Sequence, residues 1–294
     1  MIAASMRLTT LFVPVLALAL LTGCKKSSDD DGGDGGVGPS PSTPRYTALG
    51  ASDAVGIGAS VPCVPFTDCP GGTGYVPRVL RHLRETDADT RLTNMGLPGA
   101  VLSREVQELG NSVGIGINNN FLQHEAPFVP PDTTVVTIFA GANDVNTIAT
   151  AIDRGAAGST DANTYIDRQI TEFGNDMTEM LGIVRGRAPN TRIVVLNLPN
   201  FAALPFAAGR PTRDRLWLQR LSVGFTTQGV NQLSGVTVVD LMCNTRAYQS
   251  GTYSSDGFHP SDTGYAFIAE EIIRALNGQT APPAGSCPQM TLIR

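Results

Sequence analysis

Short apolar runs rich in β-branched residues recur along the chain and alternate with stretches whose apolar positions follow a helical period. Residues 46–49, 91–94, 134–140, 192–198 and 236–241 read as buried strands, and the last three are near-continuous apolar runs of the kind covered on both faces. Between them Val76, Val79, Leu80 and Leu83 fall at i, i+3, i+4 and i+7. Ile166, Ile170, Phe173, Met177, Leu181 and Val184 form a longer stripe, and Tyr265, Ile268, Ile272 and Leu276 another. Leu216, Trp217 and Leu221 begin a further stripe. Strands alternating with helices predict an α/β fold with a parallel sheet covered on both faces.

The N-terminus follows a different pattern. Arg7 precedes a mostly apolar stretch at residues 8–21, interrupted by Thr9, Thr10 and Pro14, and residues 21–24 read Leu-Thr-Gly-Cys. The stretch is shorter than the roughly 20 apolar residues a membrane-spanning helix needs, so residues 1–23 are expected to be a secretion signal. The tetrapeptide resembles the bacterial lipobox, which implies that Cys24 is lipidated and becomes the first residue of the mature chain. Lys25 in place of Asp resembles the pattern that permits transport to an outer membrane. Residues 24–44 are dominated by Ser, Asp, Gly and Pro and predict a disordered tether, leaving residues 45–294 as the folded domain. The expected location is the cell envelope, with the domain, a monomer, held to the membrane by its lipid.

Composition narrows the partners. Lys and Arg number 21 against 26 Asp and Glu, a net charge of −5, and nothing in that balance would condense onto a phosphate backbone, so nucleic acid is excluded. Of five cysteines, Cys24 is set aside; Cys63, Cys69, Cys243 and Cys287 remain, an even number in an exported chain, which predicts two disulfides. Cys63 with Cys69 would close a short loop and Cys243 with Cys287 would pin the tail; the other two pairings stay open. No Cys-x-x-Cys occurs and the three histidines lack metal-ligand spacing, so no metal is expected. No phosphate-cradling Gly-rich loop with a Lys is present, and residues 56–58 do not fit a dinucleotide fingerprint, so no cofactor is implied.

In open parallel sheets ligands bind beyond the carboxyl ends of the strands. Four such junctions carry unusual residues: Gly50-Ala51-Ser52-Asp53, Asn94-Met95-Gly96-Leu97-Pro98-Gly99, Gly141-Ala142-Asn143-Asp144 and Ser255-Asp256-Gly257-Phe258-His259-Pro260. The topology would bring all of them to one edge. Together these residues resemble, in order and spacing, the blocks of the SGNH hydrolases, also called GDSL esterases and lipases, over residues 46–276. The resemblance implies a three-layer α/β/α sandwich with a five-stranded parallel sheet, flavodoxin-like in plan, and a serine hydrolase of esters or thioesters. One departure stands out: where the family has Gly-Asp-Ser-Leu, this chain has Ala51 before Ser52 and Asp53 after it.

The resemblance assigns Ser52 as nucleophile, His259 as the base that takes and returns its proton, and Asp256, three residues earlier, as the carboxylate that orients the imidazole. The backbone N–H groups of Ser52 and Gly96 and the side-chain amide of Asn143 would form the oxyanion hole, with Asp144 holding the turn beside it. His82 reads as a helix-surface residue and His124, next to Glu125, as a loop residue. The apolar, Pro-broken stretch 198–209 either lines an acyl pocket through Phe201, Leu204 and Phe206 or packs as a satellite of the core. The expected substrate is a small ester or lipid. The alternatives are removal of O-acetyl groups from polysaccharides and a catalytically silent lipoprotein that binds a glycan or acyl group.

Overall fold

The computed structural model describes residues 43–294, which lie within one compact unit. The signal at residues 1–23, Cys24 and the tether as far as residue 42 lie outside the described residues. Strands β1 (Arg45–Gly50), β2 (Arg91–Asn94), β3 (Val135–Phe139), β4 (Arg192–Leu196) and β5 (Thr237–Val239) pair in parallel throughout, in the order β2-β1-β3-β4-β5. The longer helices are α2 (Tyr75–Thr86), α3 (Arg104–Ser112), α5 (Ala142–Asp153), α6 (Ala162–Arg187), α7 (Thr212–Gly224) and α8 (Asp262–Leu276), with single turns α1 (Ser52–Val55) and α4 (Phe121–His124).

The step from β1 to β2 runs one way across the sheet and every later step runs the other way, so right-handed crossovers place α2 on one face and α3 to α7 on the other. The chain returns after β5, and α8 packs against α2. This is the three-layer α/β/α sandwich expected. Residues such as Leu49, Val136, Ile138, Val194 and Leu196 are fully buried, which is why their segments carry no polar alternation.

The last three strands stop short of their apolar runs. The fully buried Asn197 follows β4, and its side-chain oxygen accepts the N–H groups of Leu241 and Met242 at 2.7 and 3.0 Å. Its own N–H still bonds to the Val239 carbonyl at 3.1 Å, but beyond that point a side-chain oxygen takes the place of the backbone acceptor, and the β4–β5 ladder ends there. Disulfides join Cys63 to Cys69 and Cys243 to Cys287, each with Cα atoms 5.7 Å apart. Among the described residues, no helix is long and apolar enough to cross a membrane.

The Cys243–Cys287 bond holds the C-terminal tail to the loop after β5. Replacing both cysteines by Ser is expected to lower the unfolding free energy by roughly 2–4 kcal/mol, read from urea denaturation under oxidising conditions.

Candidate active site

In the order β2-β1-β3 the chain leaves β1 and β3 toward opposite faces, which opens a crevice at their carboxyl ends. Ser52 stands there as the first residue of α1, with only 5% of its surface exposed. The end of β2 is knitted to it. The Asn94 side chain donates to the Ala54 carbonyl at 2.8 Å, and its oxygen accepts the Gly96 N–H at 3.0 Å. A Cβ at position 96 would lie 2.9 Å from the Ala54 methyl and 3.1 Å from the Ala51 carbonyl oxygen, so only glycine lets the two loops meet. Asn143 and Asp144 occupy the first turn of α5 and hold the loop on the other side. The Asn143 amide donates to the Ala100 carbonyl at 2.8 Å, and Asp144 Oδ1 accepts the Leu102 N–H at 2.8 Å.

His259 arrives from the far end of the chain on a tight turn. Asp256 Oδ1 accepts the N–H groups of Phe258 and His259 at 2.8 and 2.9 Å and the Ser254 hydroxyl at 2.9 Å. Its other oxygen lies 2.6 Å from His259 Nδ1, and His259 Nε2 lies 2.9 Å from Ser52 Oγ. Partial burial pushes the Asp256 carboxyl up, but the hydrogen bonds from His259, Phe258 and Ser254 outweigh it and hold the group down at about 2. Gly257 sits at φ +70°, and a Cβ there would come within 2.6 Å of the Phe206 backbone nitrogen. The turn is clamped by the Ser254 N–H on the His259 carbonyl and the Ser261 N–H on the Thr252 carbonyl, at 2.8 and 2.9 Å.

The structure therefore brings Ser52, His259 and Asp256 into one hydrogen-bonded line and places Gly96 and Asn143 at the same edge. The single Gly96 N–H is engaged by Asn94, whereas the Asn143 amide keeps a second hydrogen beyond its bond to Ala100. Phe201 and Leu204 are buried in the core, and Phe206 packs edge-on to Phe258, which in turn packs edge-on to His259 at 5.0 Å between ring centres. The stretch 198–209 thus forms two short turns that brace the histidine from behind. Phe201 and Leu204 also line a tight cavity of about 30 Å³, with Phe258 and the Asp53 carboxyl among its other walls. His82 pairs with Glu85 on α2, and His124 Nδ1 accepts the Asn120 N–H.

Two buried carboxyl groups had no role in the sequence reading. Glu125 is fully buried; its Oε2 accepts the Gly50 N–H at 2.9 Å, and its Oε1 has no partner among the described residues. Burial pushes it well above the usual carboxylate range. Burial likewise raises Asp53, against the lowering effect of His259. Apart from a lone Glu in an aperiodic stretch, nothing in the sequence marked Glu125, because its partner lies 75 residues away.

Asp144 is also buried and is pushed up to about 7 by desolvation, with Asp176 adding to the rise. Its unfolded-state value is near 3.8, so across pH 4 to 7 the folded form binds more protons than the unfolded form. Stability should fall as pH rises through that window and level off above it. Asp144→Asn keeps an oxygen for Leu102 and should make the decline visibly shallower, measured as urea midpoints at pH 5 and pH 8.

Residues 48–267 match the GDSL-like Lipase/Acylhydrolase family. Among solved structures the chain is similar to the lipase Lip_vut3 from a goat rumen metagenome, at TM-score 0.52 and 19% identity, over 79% of this chain and 97% of that one. It is also similar to the extracellular lipase of Streptomyces rimosus, at TM-score 0.48 and 18% identity over 80% and 99% of the two chains. The lipase/acylhydrolase of Enterococcus faecalis gives TM-score 0.48 and 18% identity over 81% and 97%. No curated protein matches the chain. With the family matched over most of its folded part, the chain belongs to the GDSL-like lipase/acylhydrolases.

Proposed function

We propose that the protein hydrolyses carboxylic esters with Ser52 as nucleophile. The observation that carries this reading is the unbroken line from Ser52 Oγ through the His259 ring to Asp256, at 2.9 and 2.6 Å. His259 Nε2 takes the hydroxyl proton as Ser52 Oγ bonds to the ester carbonyl carbon. The protonated ring is stabilised by the ionised Asp256 carboxylate. The carbonyl oxygen, now an oxyanion, is met by the Ser52 N–H and the second hydrogen of the Asn143 amide. The tetrahedral species expels the alcohol, which receives the proton from His259, and the acyl-serine is then cleaved by a water activated by the same ring.

The ring has one orientation available to it, because Nδ1 is tied to Asp256 and Phe258 packs against its side. That fixes the tautomer with Nε2 free to accept the serine proton. Phe201 and Leu204 are taken up by the core and do not offer an open acyl-binding face, so the removal of O-acetyl groups from polysaccharides is the second reading. We further read the enzyme as anchored at the cell envelope through a lipid on Cys24. Fatty-acid labelling of the expressed protein tests that, and should vanish in Cys24→Ala.

A panel of p-nitrophenyl esters from acetate to palmitate tests the catalytic reading. Ser52→Ala is expected to lower kcat about 10³ to 10⁶-fold, Asp256→Asn about 10² to 10⁴-fold and Asn143→Ala about 10² to 10³-fold. Near-full turnover by Ser52→Ala would overturn the assignment. Hydrolysis of acetate alone would move the substrate to O-acetylated polysaccharide.

A further inference from the structure

The disulfide-closed loop that follows α1 shows apolar side chains to solvent where a loop ordinarily shows polar ones. Val61, Val64 and Phe66 are 45%, 66% and 63% exposed. Between residues 61 and 70 the charged side chain is Asp68, and Arg84 pairs with it at 2.7 Å.

The polar groups of the loop are used to hold it still. Cys63 N–H bonds to the Val55 carbonyl at the end of α1, and Phe66 N–H to the Asn94 carbonyl at the end of β2, at 2.6 and 2.8 Å. Arg81 of α2 donates to the carbonyls of Pro70 and Gly72, and Arg78 to that of Thr73. Asp262, at the start of α8, takes the N–H and hydroxyl of Ser60 and the hydroxyl of Thr73. The bond between Cys63 and Cys69 closes the tip. Phe66 is held at φ +62°, a conformation in which residues other than Gly, Asn and Asp are seldom found, and it presents its ring outward.

A braced loop with apolar side chains at its tip loses little conformational freedom when those side chains leave water. We propose that this knob is a lipid-surface anchor, which sinks Val61, Val64 and Phe66 among phospholipid acyl chains and so sets the end of the sheet that carries Ser52 and Gly96 against the bilayer. Its size decides the occupant. Three side chains offer on the order of a few hundred Å², well below the roughly 800 Å² per partner of a stable protein interface. The tip has no unpaired charge to steer a protein or an anionic polymer. Its two backbone anchors, Val55 and Asn94, end the elements that carry Ser52 and lead to Gly96, so the knob and the crevice share one edge.

The test is flotation of residues 41–294, the compact unit that contains the described core, with phosphatidylcholine vesicles. This reads binding without turnover and is separate from the catalytic reading. The wild type is expected to float, and to keep floating when NaCl is raised from about 0.1 to 1 M, since apolar insertion is not screened. Phe66→Ser should lower partitioning about ten-fold, and Val61→Ser/Val64→Ser/Phe66→Ser should abolish it. The variants should keep the wild-type thermal transition and the wild-type rate on a soluble acetate ester. Absence of wild-type flotation, flotation of the triple variant at the wild-type level, or loss of binding in high salt overturns the proposal. A wild-type dimer in sedimentation that Phe66→Ser dissociates overturns it in favour of a second copy as the occupant.

Discussion

The carboxylate of Asp256 gathers two backbone N–H groups, the Ser254 hydroxyl and the His259 ring around itself, and the position of that ring against Ser52 follows from those bonds. A turn of this kind is a short-range structure: it specifies where the imidazole points relative to its own backbone. What brings it to the serine is long-range. Gly58 lies so close to the turn that a Cβ there would be 2.6 Å from the Pro260 carbonyl oxygen and 2.9 Å from the His259 Cβ, and the Tyr265 hydroxyl of α8 reaches the Ile57 carbonyl at 2.7 Å. The loop after Ser52 is thus packed closely against the turn that carries His259 and against α8. The distance from Ser52 to His259 is set by two packed elements and not by a flexible side chain reaching across a gap.

Around this line the protein tolerates several buried carboxyl groups that carry a cost. Glu125 and Asp144 each satisfy one backbone N–H and leave the other oxygen without a partner among the described residues. Desolvation raises both, Glu125 well above the usual carboxylate range and Asp144 to about 7. The N–H groups they hold belong to Gly50, two residues before Ser52, and to Leu102, in the loop that Asn143 also grips. Stability is spent on fixing the loops that frame the crevice, which is where strained and imperfectly satisfied groups concentrate in enzymes.

Much of this was legible in the chain. A parallel strand buried on both faces has to be apolar at successive positions, so Val135–Phe139 and Arg192–Leu196 stood out, and their ends directed attention to Asn143 and to the stretch beyond residue 196. The Asp256-Gly257-Phe258-His259 spacing was informative because its hydrogen bonds are local. The remainder depended on contacts that periodicity does not encode. That Asn94 would occupy the Gly96 N–H follows from how β2 ends against α1. That Phe201 and Leu204 would be buried, with Phe206 packed edge-on behind Phe258, follows from where β4 delivers the chain. The apolar tip of the loop from Cys63 to Cys69 was visible as composition, but its exposure was not, since apolar residues by default signal burial.

Ser52 and His259 are 207 residues apart, and strands β2 to β5 lie between them in the sequence. Because all the strand pairings are parallel, none can form as a local hairpin, and each closes a crossover whose entropy is repaid late. The contact between Ser52 and His259 therefore depends on the far end of the chain: opening α8 or the turn before it takes the ring away from Ser52. A chain cut short of α8 and the turn before it has Ser52 without His259. The serine and the histidine are thus joined by the assembled fold and by no local segment of the chain.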